Sequence, residues 1–513
     1  MNLFRFAGRL KRQRNAGEPR TNSDSRGRIE PEAPSPLTGR ETEISLLKDR
    51  WEQAQEGMGQ VVLVIGEPGL GKSRLVQTLT RRVQAQGGAA SPTVTAKSAN
   101  QTFTIIEWRC SQHFQNSELH PVSDYLQRFL GTGRDRSTAA RFDRLASHLD
   151  DCDLGQPEVV ALLAKLLFLP PDERYSATSL PPAREREETF RVLRQWLHAH
   201  SRKRPVLFVV EDLHWIDASS QEFLGQFISD GPHDRILTVL TFRPEFKTPW
   251  PALAHQTTLA LNRLTRRQVA EWMQRDAGGA LPESLVEQIY KRTSGVPLLV
   301  EEFIRMALES AVFEPAGAAP SRVAAARTRE LPATLQELVM VRLDRVSSKR
   351  EVAQLAAMLG HEFDYELLAA IVTLDEQTLR AELAKLVSAG FLFVKGKAPT
   401  CVYVFKHALL EEALRSAIDA PMHREFHQKV AEVIEARFTH LVETQPELLA
   451  EHFIEAGIIE KAIGYCLRAG LRSRDRFAHV EAISHLTKGL KLLEALQATL
   501  ERDALELDLL GPL

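Results

Sequence analysis

Cysteine is scarce in this chain: Cys110, Cys152, Cys401 and Cys466 are the four in 513 residues, and no two have paired spacing. Neither a disulfide framework nor a thiolate zinc site is suggested, and a reducing, cytoplasmic setting is expected. Long apolar runs are absent too. Nothing approaches the ~20 residues needed to cross a bilayer, and no N-terminal stretch has the apolar core of a signal peptide, so no transmembrane segment is expected. An excess of one charge sign is also lacking, the formal net charge being -2. That balance excludes a surface built to coat nucleic acid, and no nucleic-acid partner is expected. A chain this long exceeds one hydrophobic core and implies roughly three or four domains.

What is present begins with Gly66-Glu67-Pro68-Gly69-Leu70-Gly71-Lys72-Ser73. A glycine-rich string with a lysine means little unless it joins a buried strand to a helix. Here the β-branched run Val61–Ile65 precedes it, as in a strand covered on both faces, and Ser73-Arg74-Leu75-Val76 opens a stretch with helical apolar spacing. The glycines let successive backbone N–H groups point into one concavity at a helix N-terminus, which suits a triphosphate. Lys72 is expected to reach the β- and γ-phosphates, and the Ser73 hydroxyl to sit on Mg²⁺.

A second site is expected at the end of "PVLFVVEDLHWID", residues 205–217. Val206–Val210 reads as another buried parallel strand, and acids at its C-terminal end fall where open α/β sheets place ligands. Glu211 would hold Mg²⁺ and Asp212 would orient or deprotonate the attacking water. The pair could also serve as caps for the following helix, and which carboxylate does which job stays open. A third strand, "ILTVLTF", leads into Arg243 and Pro244, so Thr241 or Arg243 could sense the γ-phosphate.

Taken with "LTGRE", "TFRPEF", "TSGVPLLVEEF" and "FKHALLEEAL", these motifs resemble the STAND class of AAA+-related signal-transduction ATPases. More narrowly, they resemble the bacterial ATPase-and-repeat region found with adenylate/guanylate cyclase, kinase or LuxR-type domains. The resemblance implies an ATP-binding α/β P-loop NTPase core with a parallel sheet. It also implies that Gly39 and Arg40 lie on the adenine side and that Gly295-Val296-Pro297 is a G-x-P motif whose proline packs near the base. Val296 stands where relatives often carry asparagine. Adenine, rather than guanine, rests on this resemblance alone. No residue here supports cyclase or kinase chemistry.

The expected order along the chain is a basic tail at 1–36, the ATPase core at 37–254, a helical lid at 255–312 and an exposed connector at 313–330. A winged-helix-like domain at 331–418 and tetratricopeptide-like helical repeats at 419–513 complete it. The tail carries eight Lys/Arg against three Asp/Glu through Glu30 and reads as disordered, or as a weak amphipathic contact with a membrane surface or an acidic partner. In the winged-helix-like block, "DEQTLRAELAKLVSAG" offers Arg380 and Lys385 among acids, a poor footprint for DNA phosphates; the STAND resemblance implies instead a regulatory role, in which such a domain packs on the ATPase and helps hold it off. In the last block, Ala462-Ile463 and Ala482-Ile483 repeat a small-large step that lets helices approach closely. The helical pattern still runs at the last residue, and a chain shortened relative to its relatives is expected.

The function expected from all this is an ATP-binding, slowly hydrolysing switch that controls self-assembly or the binding of a protein partner through the repeats. An AAA+-type remodelling ATPase and a repeat scaffold with structural nucleotide are the alternatives.

Overall fold

The computed structural model describes residues 37–86, 102–131, 137–175, 180–231, 234–277, 283–312, 334–395 and 401–513. The expected tail, 1–36, and connector, 313–330, lie outside the described residues. The chain divides into two compact units. One holds Thr42–Gly66, Lys72–Ala260 and Ala420–Leu513; the other holds Glu67–Gly71 and Leu261–Asp419 with the described residues up to Glu41.

In the first unit, strands β1 (Gln60–Ile65), β2 (Thr104–Arg109), β3 (Val206–Glu211), β4 (Ile236–Phe242) and β5 (Gln256–Ala260) form one sheet. Their order is β2-β3-β4-β1-β5 and every pairing is parallel. Every residue of β4 and the first five of β3 are buried, which is why both read as unbroken apolar runs. Trp108 on β2 meets Phe208 on β3 edge to face at 4.7 Å, a favoured aromatic geometry within the core. The register pairs Ile65 with Phe242, Val210 with Leu240 and Arg109 with Glu211. Four strand ends therefore reach one edge of the sheet. Gln256–Ala260 corrects the expected helical lid at 255–312, whose first residues form the edge strand β5; "QTTLA" alternates too briefly to announce itself.

Helices including Lys72–Gln86, Pro182–Lys203 and Ala218–Ser229 accompany the sheet, and the portion 420–513 is helical at Ala420–Arg437, Thr439–Thr444, Pro446–Ala456, Ile459–Asp475, His479–Leu493 and Leu500–Leu510. Helices of that last portion approach closely where side chains are small: a Cβ on Gly470 would lie 2.6 Å from Leu486 Cγ, and one on Gly489 would lie 2.8 Å from Leu509 Cδ2. Ala462, Ile463 and Ala482 are buried as expected, but Ile483 is 52% exposed. The second small-large step therefore does not repeat the packing of the first.

The helices of this last portion bond directly to the sheet portion. Glu447 accepts from the Ser117 hydroxyl at 2.6 Å, Arg476 pairs with Glu118 at 2.8 Å, and Glu481 accepts from Ser219 N and Oγ at 2.8 and 2.7 Å. Asp217, buried beside this last contact, caps helix Ala218–Ser229 by accepting from Ser220 N at 2.8 Å, and also accepts from Leu119 N at 2.9 Å. Burial first, and then the Glu481 charge, push its carboxyl up to about 7. A raised carboxyl keeps its proton on folding, so its ionisation disfavours the folded state increasingly as pH rises from the ordinary value of 3.8 towards 7. Asp217→Asn keeps the accepting oxygen and removes the titration. Its stability relative to the parent is expected to improve by roughly 2–4 kcal/mol between acid and neutral pH and then level off, read from denaturation midpoints across that range.

In the second unit, helices Arg266–Ala277, Glu283–Thr293 and Pro297–Val312 enclose a core that includes Leu264, Val269, Trp272, Ile289 and Phe303. Helices Leu335–Val346, Arg350–Leu359, Tyr365–Ile371, Glu376–Ser388 and Ala408–Ser416 follow. With them is a small antiparallel sheet of β6 (Glu362–Asp364), β7 (Leu392–Lys395) and β8 (Val402–Phe405), ordered β6-β8-β7. Strands β7 and β8 pair antiparallel, and β6 adds a third strand whose three residues carry no legible alternation. Arg342 and Glu302, both with fully buried side chains, form an ion pair. The Arg342 guanidinium also donates to Ala389 O and stacks 4.6 Å from the Phe391 ring centre.

Candidate functional site: the phosphate loop and the strand ends around it

In the first unit, Gly66 follows β1, and its N–H donates to Phe242 O at 3.2 Å, tying the start of the loop to β4. Lys72 and Ser73 open helix Lys72–Gln86. Arg74, half-buried, lies in the same first turn, its carbonyl accepting from the Thr78 hydroxyl at 2.7 Å. Lys72 is buried to 8% exposure, and its Nζ donates to Gly66 O at 2.7 Å. Burial depresses the ammonium below its ordinary range; Asp212 opposes this, while Arg243 adds to it. A cation that burial disfavours gains from an arriving polyanion.

Because β4 lies between β1 and β3, its end separates the loop from the acidic pair. Thr241 there is fully buried, and its Oγ1 accepts from Asp212 N at 3.0 Å. The hydroxyl thus fixes the turn at Asp212, and its own O–H is still a donor at the same strand end. Asp212 has a left-handed backbone, φ 58°, a conformation that Asp and Asn tolerate better than most residues. The turn separates the two carboxylates, leaving Asp212 39% exposed in its side chain and Glu211 13%. Burial is the main cause holding the Glu211 carboxyl above its usual range; Arg109 opposes it, Asp212 and Glu107 add to it, and a Ser73 hydrogen bond opposes it. Glu211 Oε1 has no hydrogen-bond partner among the described residues. A buried carboxylate oxygen beside a serine hydroxyl is an all-oxygen donor set that fits a hard cation such as Mg²⁺.

His214 lies 4.0 Å from Asp212, and neither of its ring nitrogens has a hydrogen-bond partner among the described residues. Burial, then Arg243 and Lys72, lower it to about 3, so the ring is neutral. Arg243 lies 5.8 Å from the Trp215 ring centre.

The apex of the loop, Glu67–Gly71, groups with the second unit. Gly69 and Gly71 have φ of 80° and 91°, the left-handed region that glycine enters without cost. A Cβ on Gly69 would meet Val296 and Leu409 at 3.0 Å, whereas one on Gly71 would meet nothing within 4 Å. Gly69 O accepts from Leu298 N at 3.3 Å. Val296, in the place where asparagine was expected from relatives, thus packs against the loop backbone, and Pro297 begins the helix behind it, where its fixed φ is suited. Arg40, 6% exposed, donates to Leu70 O at 3.4 Å and to Asn262 O. Gly39 precedes it, its carbonyl accepting from Gln268 Nε2 at 3.5 Å. Glu67 pairs with Arg263 at 2.7 Å, and Leu70 N donates to Glu67 O across Pro68 and Gly69 at 3.4 Å.

Sequence reasoning missed Arg109, whose Nε lies 3.7 Å from Glu211 Oε2. The available signal was a cation closing a short β-rich run, "TIIEWR"; its place beside Glu211 depends on β2 pairing with β3. Arg263, inside the expected lid, was missed as well, because its partner Glu67 is 196 residues away in sequence.

A parallel sheet with this loop after β1 and adjacent acids after β3 defines a P-loop nucleotide-binding core. Residues 36–239 match the AAA ATPase domain family. The chain therefore carries an AAA-type ATPase domain, in keeping with the STAND-class resemblance, and such a domain uses nucleotide, usually with Mg²⁺. An uncharacterized protein of Rhizobium meliloti is 28% identical over 93% of this chain and 45% of its own length, so the chain spans less than half of that relative. Among solved structures, a STAND protein with a tetratricopeptide repeat sensor from Pyrococcus horikoshii is 12% identical, with TM-score 0.44, over 91% of this chain and 67% of that one. The Aeropyrum pernix Orc1 protein in complex with DNA is 13% identical, with TM-score 0.34, over 75% and 94%. No helix among the described residues is long and apolar enough to cross a membrane.

Proposed function

We propose that the chain is a STAND-type switch that binds ATP, hydrolyses it slowly and changes its self-assembly or its hold on a protein partner with nucleotide state. The observation that carries this reading is the bonding of the helical segment to the sheet beside the acidic pair: Glu481 accepts from Ser219, two residues after Asp217 and seven after Asp212. A partner drawing on the helical segment would change the surroundings of the turn that holds Asp212.

In the proposed chemistry, the loop N–H groups and Lys72 bind the phosphates. Ser73 and Glu211 would hold Mg²⁺, which supplies charge neutralisation at the β- and γ-phosphate oxygens. Asp212, the more exposed carboxylate, orients water and accepts its proton. Gly39, Arg40 and Pro297 are proposed to flank the base, with Arg40 also steadying the loop through Leu70 O. Block 331–418 is proposed as the winged-helix regulatory domain and 419–513 as the repeat sensor. Working in the cytoplasm follows from the four free, buried cysteines as an expectation of the same reading.

The test is ATP turnover by the purified chain and by Asp212→Asn, with mass in solution followed in ATP and in a non-hydrolysable analogue. Asparagine tolerates the left-handed turn, so the variant is expected to fold and bind while turnover falls by ~10²–10⁴. Slow parental turnover with mass growing in the analogue supports the switch. Rapid turnover at constant mass would sink it in favour of a motor, and unchanged turnover in the variant would remove Asp212 from its role.

A further inference from the structure

The first unit holds a second cluster of metal-ligating groups, remote in sequence from the phosphate loop. His423 and His427 lie four residues apart on helix Ala420–Arg437, which places both rings on one face. Glu455 comes from helix Pro446–Ala456. One ligand atom from each of the three lies within 4.8 Å of the others. The His423 and His427 ring centres are 4.6 Å apart.

Behind them stands His452, 2% exposed, whose Nδ1 lies 2.8 Å from Nδ1 of His427, itself 4% exposed. His113 stacks on His452 with ring centres 6.4 Å apart. One of these two Nδ1 atoms, of His427 and His452, donates and the other accepts, which ties the two rings together. A ring fixed in this way by a hydrogen bond behind it is the usual support for a ligating histidine. A helix-to-helix contact has no packing need for so many buried polar rings, which apolar residues would replace at lower cost.

We propose that His423, His427 and Glu455 bind a first-row divalent transition-metal ion of the zinc type, oriented by His452, clipping helix Ala420–Arg437 to helix Pro446–Ala456. Two imidazoles and one carboxylate are borderline donors that suit zinc and its neighbours and leave a fourth position for water. Mg²⁺ prefers oxygen donors and does not compete here. The search for paired cysteines in the sequence could not have found this site, because its ligands are histidines and an acid on separate helices.

The test uses the full, chelator-treated chain in excess Mg²⁺, which occupies the phosphate-loop site. Zn²⁺ is titrated calorimetrically, and Co²⁺ is followed by its visible absorption. One equivalent is expected to bind, with a rise in melting temperature. His423→Asn and Glu455→Gln, at half-buried and exposed positions, are each expected to weaken binding by ~10-fold or more and to abolish the rise. Melting of the metal-free variants at the parental temperature confirms that they fold. Absence of stoichiometric binding, or binding that survives either substitution within ~2-fold, overturns the proposal.

Discussion

Lys72→Ala is expected to weaken ATP binding by ~10–100-fold, the worth of a hydrogen bond to a charged group, and to cut turnover of whatever still binds by a further ~10²–10³. The size follows from where the ammonium sits. It is buried, already held in place by Gly66 O at 2.7 Å, and its charge is disfavoured by its surroundings. An arriving triphosphate restores a favourable environment to this buried cation. Lys72→Arg is expected to rescue little, because a planar fork does not occupy the place of a compact ammonium. Equilibrium binding of a fluorescent ATP analogue, with single-turnover hydrolysis, separates the two losses. Parental affinity in Lys72→Ala would show that the loop does not hold the phosphates in this way.

Arg342→Met is expected to lower the local stability of the second unit by about 3–5 kcal/mol, because it strands a fully buried carboxylate. Glu302 Oε1 already lacks a hydrogen-bond partner among the described residues, so its charge depends heavily on the arginine. The Ala389 carbonyl would also lose a donor. The double variant Arg342→Met, Glu302→Leu removes both charges and is expected to recover more than half of the loss, since a buried pair adds little over apolar packing. Amide exchange in helix Leu335–Val346 reads the opening free energy without requiring the whole chain to unfold in one step. Equal losses in the single and double variants would mean that packing against Phe391, not the charge pair, carries the effect.

Legibility in the sequence followed burial. Strands β1, β3 and β4 are covered on both faces and were written as apolar runs; β2, β5 and β6 are partly exposed, shorter or mixed, and only pairing defines them. The same split runs through the candidate site. Lys72, Ser73, Glu211 and Asp212 could be named because each abuts a buried strand or its helix. The part played by Thr241 could not, because a hydroxyl accepting from a backbone N–H 29 residues away leaves no local pattern. Arg109 and the contacts of Glu447, Arg476 and Glu481 with the sheet portion belong to the same class. Charged residues on helices look solvated until the fold covers them.

The strand order also sets a timetable for synthesis. Strand β1 has both of its neighbours, β4 and β5, far downstream, so residues 60–65 wait until about residue 260 has left the ribosome, ~10–40 s at ordinary elongation rates. The unit is not complete even then. Its last portion, Ala420–Leu513, emerges only after Leu261–Asp419, which belongs to the other unit, has been made. For that interval the nascent chain displays Ser117, Glu118 and Ser219, the partners of Glu447, Arg476 and Glu481, uncovered, a window in which a chaperone or a neighbouring nascent copy could occupy the surface that residues 420–513 later take.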